Sequence, residues 1–164
     1  MRQRTREAVL VIGFPSVSGG IATRLIALGY RPISVNDPPA AAARLGRELT
    51  PVRAAIVPTL APFLTPGALW RLTRAPGRDS LRCLALGPRP DDAGLENLRR
   101  AGVQATLFEP CADRALRFAV NRAQHDESRG QSRLHPRAAT DLVARIRLGT
   151  REKAGLVYSL SSVG

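Results

Sequence analysis

The sequence has few aromatic residues, few cysteines and no long apolar run, and these scarcities narrow the classes of protein it can encode. Aromatic residues make up 4% of the 164 residues and hydrophobic residues 44%, so we predict an aliphatic core. Cys83 and Cys111 lie far apart and lack the spacing of metal ligands. We interpret them as buried or half-buried thiols that hold no metal. No apolar run approaches the roughly 18 residues that a membrane-spanning helix needs.

The N-terminal segment begins with basic residues and continues into a short apolar run that Gly13 and Pro15 interrupt. A secretory signal carries a longer apolar region, so this run is predicted to be a strand. We therefore expect a cytoplasmic protein without a membrane segment.

Acidic residues and lysine are also scarce. Lys and Arg total 25 against 13 Asp and Glu, the formal net charge is +12, and Lys153 is the one lysine. Such a chain fits either an anionic partner, for example nucleic acid, or a surface of solvated arginines. The arginines are dispersed without a run of five or six, which favours the solvated surface. No helix-turn-helix, zinc or RNA-binding signature accompanies the charge, so nucleic-acid binding is the weaker alternative.

Short apolar segments alternate with helical patterns over residues 1–124. Strands are predicted at Ala8–Ile12, Pro32–Val35, Ala54–Val57, Leu81–Leu86 and Ala105–Phe108. Helices are predicted at Gly20–Leu28, from the Asp37-Pro38 cap to Leu49, from the Thr65-Pro66 cap through Leu72, from Asp91 to Gly102, and at Cys111–Gln124. Apolar strands between helices are typical of a parallel sheet covered on both faces. We predict a flavodoxin-like (βα)5 three-layer α/β domain with strand order 2-1-3-4-5.

The composition changes after this domain. Residues 125–132 are polar, without apolar periodicity, and are predicted to be a linker. Asp141–Leu148 then alternates apolar and polar residues, and Gly155–Leu160 is a second strand candidate. Residues 133–164 are therefore predicted to form an incomplete antiparallel β segment.

Four segments give the α/β domain a resemblance to the receiver domains of bacterial response regulators. They are AVLVIG on the first strand, AAIV on the third, LALG on the fourth and LFEP on the fifth. Receivers carry a Lys-Pro pair just after the fifth strand, and Glu109-Pro110 stands at that place. The resemblance implies a two-component signalling protein.

The positions that receivers use for phosphotransfer hold other residue types here. Gly13 and Phe14 stand where receivers have cation-binding acids, and Pro58 marks the place of the acceptor aspartate. Glu109 replaces the receiver lysine and reverses its charge. Phosphoryl transfer needs a carboxylate-bound cation, an acceptor and a positive group. We therefore predict a non-catalytic pseudo-receiver with a degenerate site, no metal and no cofactor.

A receiver fold without its site is expected to be a docking or dimerisation platform. Receivers usually make such contacts through the last helix and its neighbours. The resemblance therefore makes Arg114 and Arg117 candidate contacts to signalling proteins, and it includes a homodimer among the predicted arrangements.

A nucleotide site of the Rossmann type is the alternative for the same domain. The glycines of Gly13–Gly20 follow the first strand, and Asp37 ends the second, where pyrophosphate and ribose bind in that fold. However, GFPSVSGG does not match G-x-G-x-x-G, and the two prolines after Asp37 favour an N-cap. The two histidines, His125 and His135, lie in or beside the linker and supply this site with no catalytic group.

The last 32 residues resemble the opening of a PilZ domain, a β-barrel module that binds cyclic di-GMP. The family's R-x-x-x-R pair and (D/N)-x-S-x-x-G motif match at Arg133, Arg137, Ser161 and Gly164, and Ser159 stands at the Asp or Asn position. The resemblance implies that these residues contact cyclic di-GMP, since arginine binds phosphate bidentately and stacks on bases. The alternative is a linker and hairpin with incidental arginines. A two-stranded hairpin is marginal in water, so we expect weak or absent affinity.

Overall fold

Strands and helices alternate along the chain as far as Gln124. The computed structural model describes residues 7–14, 20–73, 81–124, 137–148 and 151–161. The strands are β1 Ala8–Ile12, β2 Arg31–Val35, β3 Ala54–Pro58, β4 Arg82–Gly87, β5 Ala105–Phe108, β6 Arg137–Leu148 and β7 Arg151–Ser161. The helices are α1 Ile21–Ala27, α2 Pro38–Arg47, α3 Trp70–Thr73, α4 Asp92–Ala101 and α5 Asp113–Gln124. Within these ranges, every helix is too short or too polar for a bilayer crossing.

The first five strands form one parallel sheet with the order β2-β1-β3-β4-β5. In its register, Leu10 of β1 lies beside Ile33 on β2 and beside Ala55 on β3. All five residues of β1 are buried, because helices cover both faces of a parallel sheet. The predicted flavodoxin-like α/β fold is confirmed.

Alternate residues of β1 pack on opposite faces of the sheet, as the two-residue period of a strand requires. Leu10 lies in the core that α2, α3 and α4 cover, together with Leu72 and Leu98. Val11 lies in the core that α1 and α5 cover, which includes Leu25 and Leu116. The domain therefore has three layers, with three helices on one face and two on the other.

Aspartate side chains cap the helices that follow β2 and β4. The Asp37 carboxylate accepts a hydrogen bond from the Ala40 amide at 2.8 Å, and Asp91 accepts one from Gly94 at 2.7 Å. Gly102 ends α4 in the left-handed region, with φ of 104°. These caps were predicted from the sequence and are confirmed.

The predicted start of the third helix at Thr65-Pro66 is wrong. The structure has turns through Leu69, and α3 begins at Trp70. Gly67 has φ of +75°, which a helix cannot contain. The Gly67 amide donates to the Arg100 carbonyl at 2.9 Å, and the Leu69 amide donates to the Ala101 carbonyl at 2.9 Å. Bonds to the end of α4 thus replace the first turn of the predicted helix.

Strands β6 and β7 form a separate antiparallel pair. Both are longer than predicted, and the register shifts between Ala139 and Leu142. Both strands contact α5, so the pair is not isolated from the α/β domain. The predicted linker, residues 125–132, lies outside the described residues.

Candidate functional site

The carboxyl ends of the parallel strands meet at one edge of the sheet, which is where open α/β folds bind ligands. Gly13 and Phe14 follow β1 at this carboxyl edge, Pro58 ends β3, and Glu109 follows β5. The structure thus brings all four predicted positions of the degenerate phosphorylation site to one edge. Strand β4 lies between β3 and β5, so Glu109 is separated from Pro58 by one strand.

The end of β1 is covered by an aromatic ring. A Cβ atom on Gly13 would lie 2.4 Å from Cε1 of Phe63, so the ring lies directly against the glycine. Gly13 has φ of +76°, and its amide donates to the Val35 carbonyl at 2.9 Å. The corner where a receiver would hold a cation is therefore apolar, and a charged group placed there would lose its hydration.

The junction between β3 and β4 is closed by Thr59. This residue is buried, and its hydroxyl donates to the Pro88 carbonyl at 2.8 Å. Its amide donates to the Leu86 carbonyl at 3.2 Å. Gly87 has φ of +153°, and a Cβ atom there would lie 2.5 Å from the Thr59 hydroxyl oxygen. The Thr59 hydroxyl, beside the Pro58 acceptor position, is thus held by its neighbours.

Glu109 supplies the only charge among the four predicted positions of the degenerate site. Its side chain is exposed, its amide donates to the Gly87 carbonyl at 2.9 Å, and its peptide bond to Pro110 is cis. Beside it, the Arg89 guanidinium carbon lies 5.7 Å from the centre of the Phe108 ring. In the described parts of the chain, no cluster of three or more His, Cys, Asp or Glu side chains could hold a metal ion.

The sequence places Thr59 directly after β3 but gives no sign of Phe63 at this edge or of the bond from Thr59 to Pro88. Phe63 and Thr59 both lie in the loop after β3, and their partners Gly13 and Pro88 belong to other strand ends. Gly87, at the end of β4, is the one signal of this packing that the sequence offers. A glycine in a strand often marks the close approach of another group.

The positions of the alternative nucleotide site are partly described. Asp37 uses its carboxylate as the α2 N-cap, as the cap interpretation predicted. Gly20 is the N-cap residue of α1 and makes no side-chain hydrogen bond. Residues 15–19 between Gly13 and Gly20 lie outside the described residues.

The N-terminal end of α5 is tied to α1 by Arg24. Its guanidinium donates to the Asp113 carboxylate at 2.9 Å and to the Cys111 carbonyl at 2.8 Å. Burial by itself lowers the pKa of Arg24, but hydrogen bonds with Asp113 and Cys111 raise it above its ordinary value. Beyond this anchored end, Arg114 is exposed and Arg117 is half-buried, so the predicted docking residues lie on an accessible part of α5.

The two cysteines are buried and half-buried, as predicted. Cys83 lies in the core beneath α2, α3 and α4, and burial raises the pKa of its thiol to about 12. Cys111 is half-buried at the start of the last helix, 3.6 Å from the Arg24 guanidinium.

With iodoacetamide at pH 8, we expect Cys111 to be alkylated in the folded protein and Cys83 only after unfolding. The thiolate reacts, and at a pKa of about 12 only about one Cys83 thiol in ten thousand is ionised at that pH. Mass spectrometry of labelled peptides, with and without urea, measures both sites. Equal labelling rates without urea would contradict the buried position of Cys83.

The predicted cyclic di-GMP residues are described only in part. Arg137 and Ser161 are cross-strand partners in the register of β6 and β7, and Ser159 lies opposite Ala139. The structure therefore brings the backbones of these predicted contacts together on one pair of strands. Arg133 and Gly164 lie outside the described residues.

No protein-family model matches the chain, and no curated protein matches it by sequence. Solved structures match it by fold. The chemotaxis response regulator CheY4 of Vibrio cholerae has a TM-score of 0.57 and 15% sequence identity, over 73% of this chain and 99% of that chain. The receiver domain of the sensor histidine kinase PA1611 from Pseudomonas aeruginosa was solved with a magnesium ion in its active-site cleft. It has a TM-score of 0.59 and 23% identity, over 73% of this chain and 98% of that chain.

A third similar structure is the receiver domain of a signal transduction histidine kinase from Syntrophus aciditrophicus. It has a TM-score of 0.58 and 21% identity, over 79% of this chain and 96% of that chain. At identities of 15 to 23%, these likenesses concern the fold. Over most of its length, the chain has the fold of a receiver domain.

Proposed function

We propose that the chain is a non-catalytic signalling adaptor whose receiver-fold domain binds other proteins. The carboxyl edge carries this proposal. The ring of Phe63 lies against Gly13, the Thr59 hydroxyl is bonded to Pro88, and the charge at Glu109 is negative. The likeness of the fold to bacterial receiver domains supports a place in two-component signalling.

The chemistry of phosphoryl transfer explains why this edge supports an adaptor. A divalent cation is held by oxygen ligands, chiefly carboxylates, and the transferred group needs an acceptor and a nearby positive charge. At its predicted positions, the described edge offers a glycine and an aromatic ring, a proline, and a carboxylate in place of the positive group, while the Arg89 guanidinium lies near Phe108. Binding of a phosphoryl group would bring negative charge next to Glu109, which is unfavourable.

Acetyl phosphate with Mg²⁺ tests this part of the proposal. We expect intact-mass spectrometry to show no alkali-labile phosphoryl adduct on the full chain. The Glu109→Lys variant is a matched control that restores the receiver residue type at that position, and we expect no adduct on it either, since the acceptor is still absent. An alkali-labile adduct on the wild-type chain would overturn the non-catalytic proposal.

The proposed docking surface lies on α5 around Arg114 and Arg117. The Arg24 bonds to Asp113 and Cys111 fix the start of this helix on α1, so the surface is held in place before a partner binds. An exposed arginine beside a half-buried one fits contacts with a signalling protein or with a second copy of the chain.

Site-specific photo-cross-linking in cells that make this protein tests the docking surface. We expect a photoreactive residue at position 114 to give a discrete cross-linked product, and one at the exposed Arg47 position on α2 to give none. Sedimentation velocity distinguishes a second copy from another protein. Equal products from both positions, or none from either, would contradict a specific surface on α5.

The C-terminal strands carry a second candidate function, which is weak binding of cyclic di-GMP. It is supported by the order of the motifs and by the pairing of Arg137 with Ser161 across β6 and β7. Arginine suits a cyclic dinucleotide because it binds phosphate and stacks on guanine.

Calorimetric titration of the full chain with cyclic di-GMP tests this second candidate. We expect weak binding that Arg137→Ala removes and that Arg147→Ala, an exposed arginine further along β6, leaves unchanged. No heat with the wild-type chain, or equal loss in both variants, would remove cyclic di-GMP from the proposal.

A further inference from the structure

An open groove lies on the face of the sheet opposite α5. It runs between the start of α2, the loop before α3 and the end of α4, and its volume is about 1190 Å³. Its walls are largely apolar and include Pro38, Pro39, Phe63 and Trp70, with Arg71 and Arg100 among the basic residues. We call this the α2–α4 groove.

Trp70 is the largest apolar residue lining the α2–α4 groove. Its side chain is 47% exposed, which is unusual for so large an apolar residue. A Cβ atom on Gly102 would lie 2.5 Å from Cδ1 of the indole, and one on Gly67 would lie 3.7 Å from Cε3. The ring therefore lies against Gly102 and beside Gly67, with part of its surface towards the solvent.

The wall that carries Trp70 is joined to α4 by backbone hydrogen bonds. The Gly67 and Leu69 amides donate to the Arg100 and Ala101 carbonyls, each at 2.9 Å. The loop and the end of α4 therefore form one unit. A binding surface that is ordered before its partner arrives loses less conformational entropy on binding.

Among the described residues, the α2–α4 groove carries more positive than negative charge. Of these residues, Arg71, Arg99 and Arg100 line it, against one carboxylate, Asp37, which caps α2. Outside the lining, Glu96 accepts hydrogen bonds from Arg99 at 2.7 Å and from Arg100 at 2.9 Å. Glu96 offsets part of the charge and fixes both guanidiniums.

We infer that the α2–α4 groove binds an acidic peptide segment of a partner protein that also presents an apolar or aromatic anchor residue. The anchor packs on Trp70 and the neighbouring prolines, and carboxylates pair with the arginine rim. Tryptophan and arginine are the residues that most often dominate binding energy at interfaces. This inference rests on the proposed adaptor function and gives it a second surface and a partner chemistry.

The shape and charge of the groove favour a peptide over the other occupants. Small-molecule sites are usually enclosed and have volumes of about 300–1,000 Å³. This groove is open and has a volume of about 1190 Å³. A second copy of a chain with net charge +12 would bring like charge to the arginine rim.

Trp70 is the single tryptophan of the chain, so its fluorescence reports on the α2–α4 groove alone. The probe is an amidated twelve-residue peptide of alternating Glu and Leu with one central Phe. We expect a saturable change in emission of the full chain that weakens as salt is raised. The same peptide with Lys in place of Glu is expected to give no saturable change.

Two arginine variants separate groove binding from general attraction to a basic protein. Arg71→Glu, at an exposed groove position, is expected to weaken peptide binding about tenfold. Arg47→Glu, at the far end of α2, makes the same charge change outside the groove and is expected to have little effect. Circular dichroism of both variants verifies that they are folded.

Any of three binding results would overturn the inference: no saturable change with the acidic peptide, equal binding of the lysine peptide, or equal weakening by the two variants. Self-association that accounts for the emission change would identify a second copy as the occupant and also overturn it. If peptide binding fails while position 114 still cross-links, the inference about the groove is overturned and the adaptor function stands. If peptide binding and cross-linking at position 114 both fail, the groove inference and the adaptor function are both overturned.

Discussion

Replacing Ile56 with alanine is expected to lower the free energy of unfolding by about 3 kcal/mol. Ile56 is fully buried in β3, in the central part of the sheet, and it packs with residues of α1 and α5. Removal of its side chain leaves a cavity that flanking strands and helices cannot fill. Urea unfolding followed by circular dichroism measures the change through the transition midpoint.

The matched control for Ile56 is Ile26 on α1. Its side chain is 52% exposed, so Ile26→Ala removes little buried surface and is expected to change the stability by less than about 0.5 kcal/mol. Similar losses in the two variants would show that β3 is not at the centre of the core.

Gly87→Ala is expected to destabilise the domain by about 3 kcal/mol through backbone strain and a clash. Gly87 has φ of +153°, and the new Cβ atom would lie 2.5 Å from the Thr59 hydroxyl oxygen. That oxygen must then move away from the buried hydrogen bond that it donates to Pro88. Thermal and urea unfolding of the variant measure the loss.

Gly29→Ala separates the clash from the backbone strain. Gly29 also has positive φ, of +90°, but its new Cβ atom would meet nothing within 4 Å, so we expect a loss of only about 1 kcal/mol. In the double variant Gly87→Ala with Thr59→Ala, the clashing oxygen is gone. Its loss should therefore be smaller than the sum of the single losses. Additive losses would contradict the contact between Thr59 and Gly87.

Elements defined by continuous apolar segments were predictable from the sequence. The bounds of β1 and β5 agree with the prediction residue for residue. The α2 and α4 caps were also predictable, because the Asp37 and Asp91 bonds join residues three positions apart. Local patterns identify local interactions, and the fold class follows from the order of such elements.

Features that depend on distant partners were not predictable in the same way. The predicted continuation of α2 to Leu49 was wrong, because the backbone becomes extended at Glu48. The Glu48 carboxylate accepts a hydrogen bond from Arg31 at 2.6 Å. Leu49 is 99% exposed and so provides no packing that would prolong the helix. The predicted start of α3 was wrong for a related reason, because the Gly67 amide donates to the Arg100 carbonyl.

Only part of the candidate site could be predicted from the sequence. The residue types at Gly13, Phe14, Pro58 and Glu109 revealed the missing acids, because they follow the ends of identifiable strands. The groups that fill the edge come from a loop whose path the sequence pattern does not specify. The α2–α4 groove was missed for the same reason, since it joins two helices to that loop.

The contacts of Phe63 and Thr59 at the carboxyl edge bear on how such an adaptor would be controlled in the cell. Phe63 covers the end of β1 and the Thr59 hydroxyl is held by Pro88, so under the proposed adaptor function we expect no gating of partner binding by phosphorylation at this edge. The amount of complex then follows mass action, and it depends on the concentrations of the chain and its partner. Under the adaptor proposal, control would then lie in synthesis, turnover and competition between partners, unless a ligand of the C-terminal strands also regulates the chain.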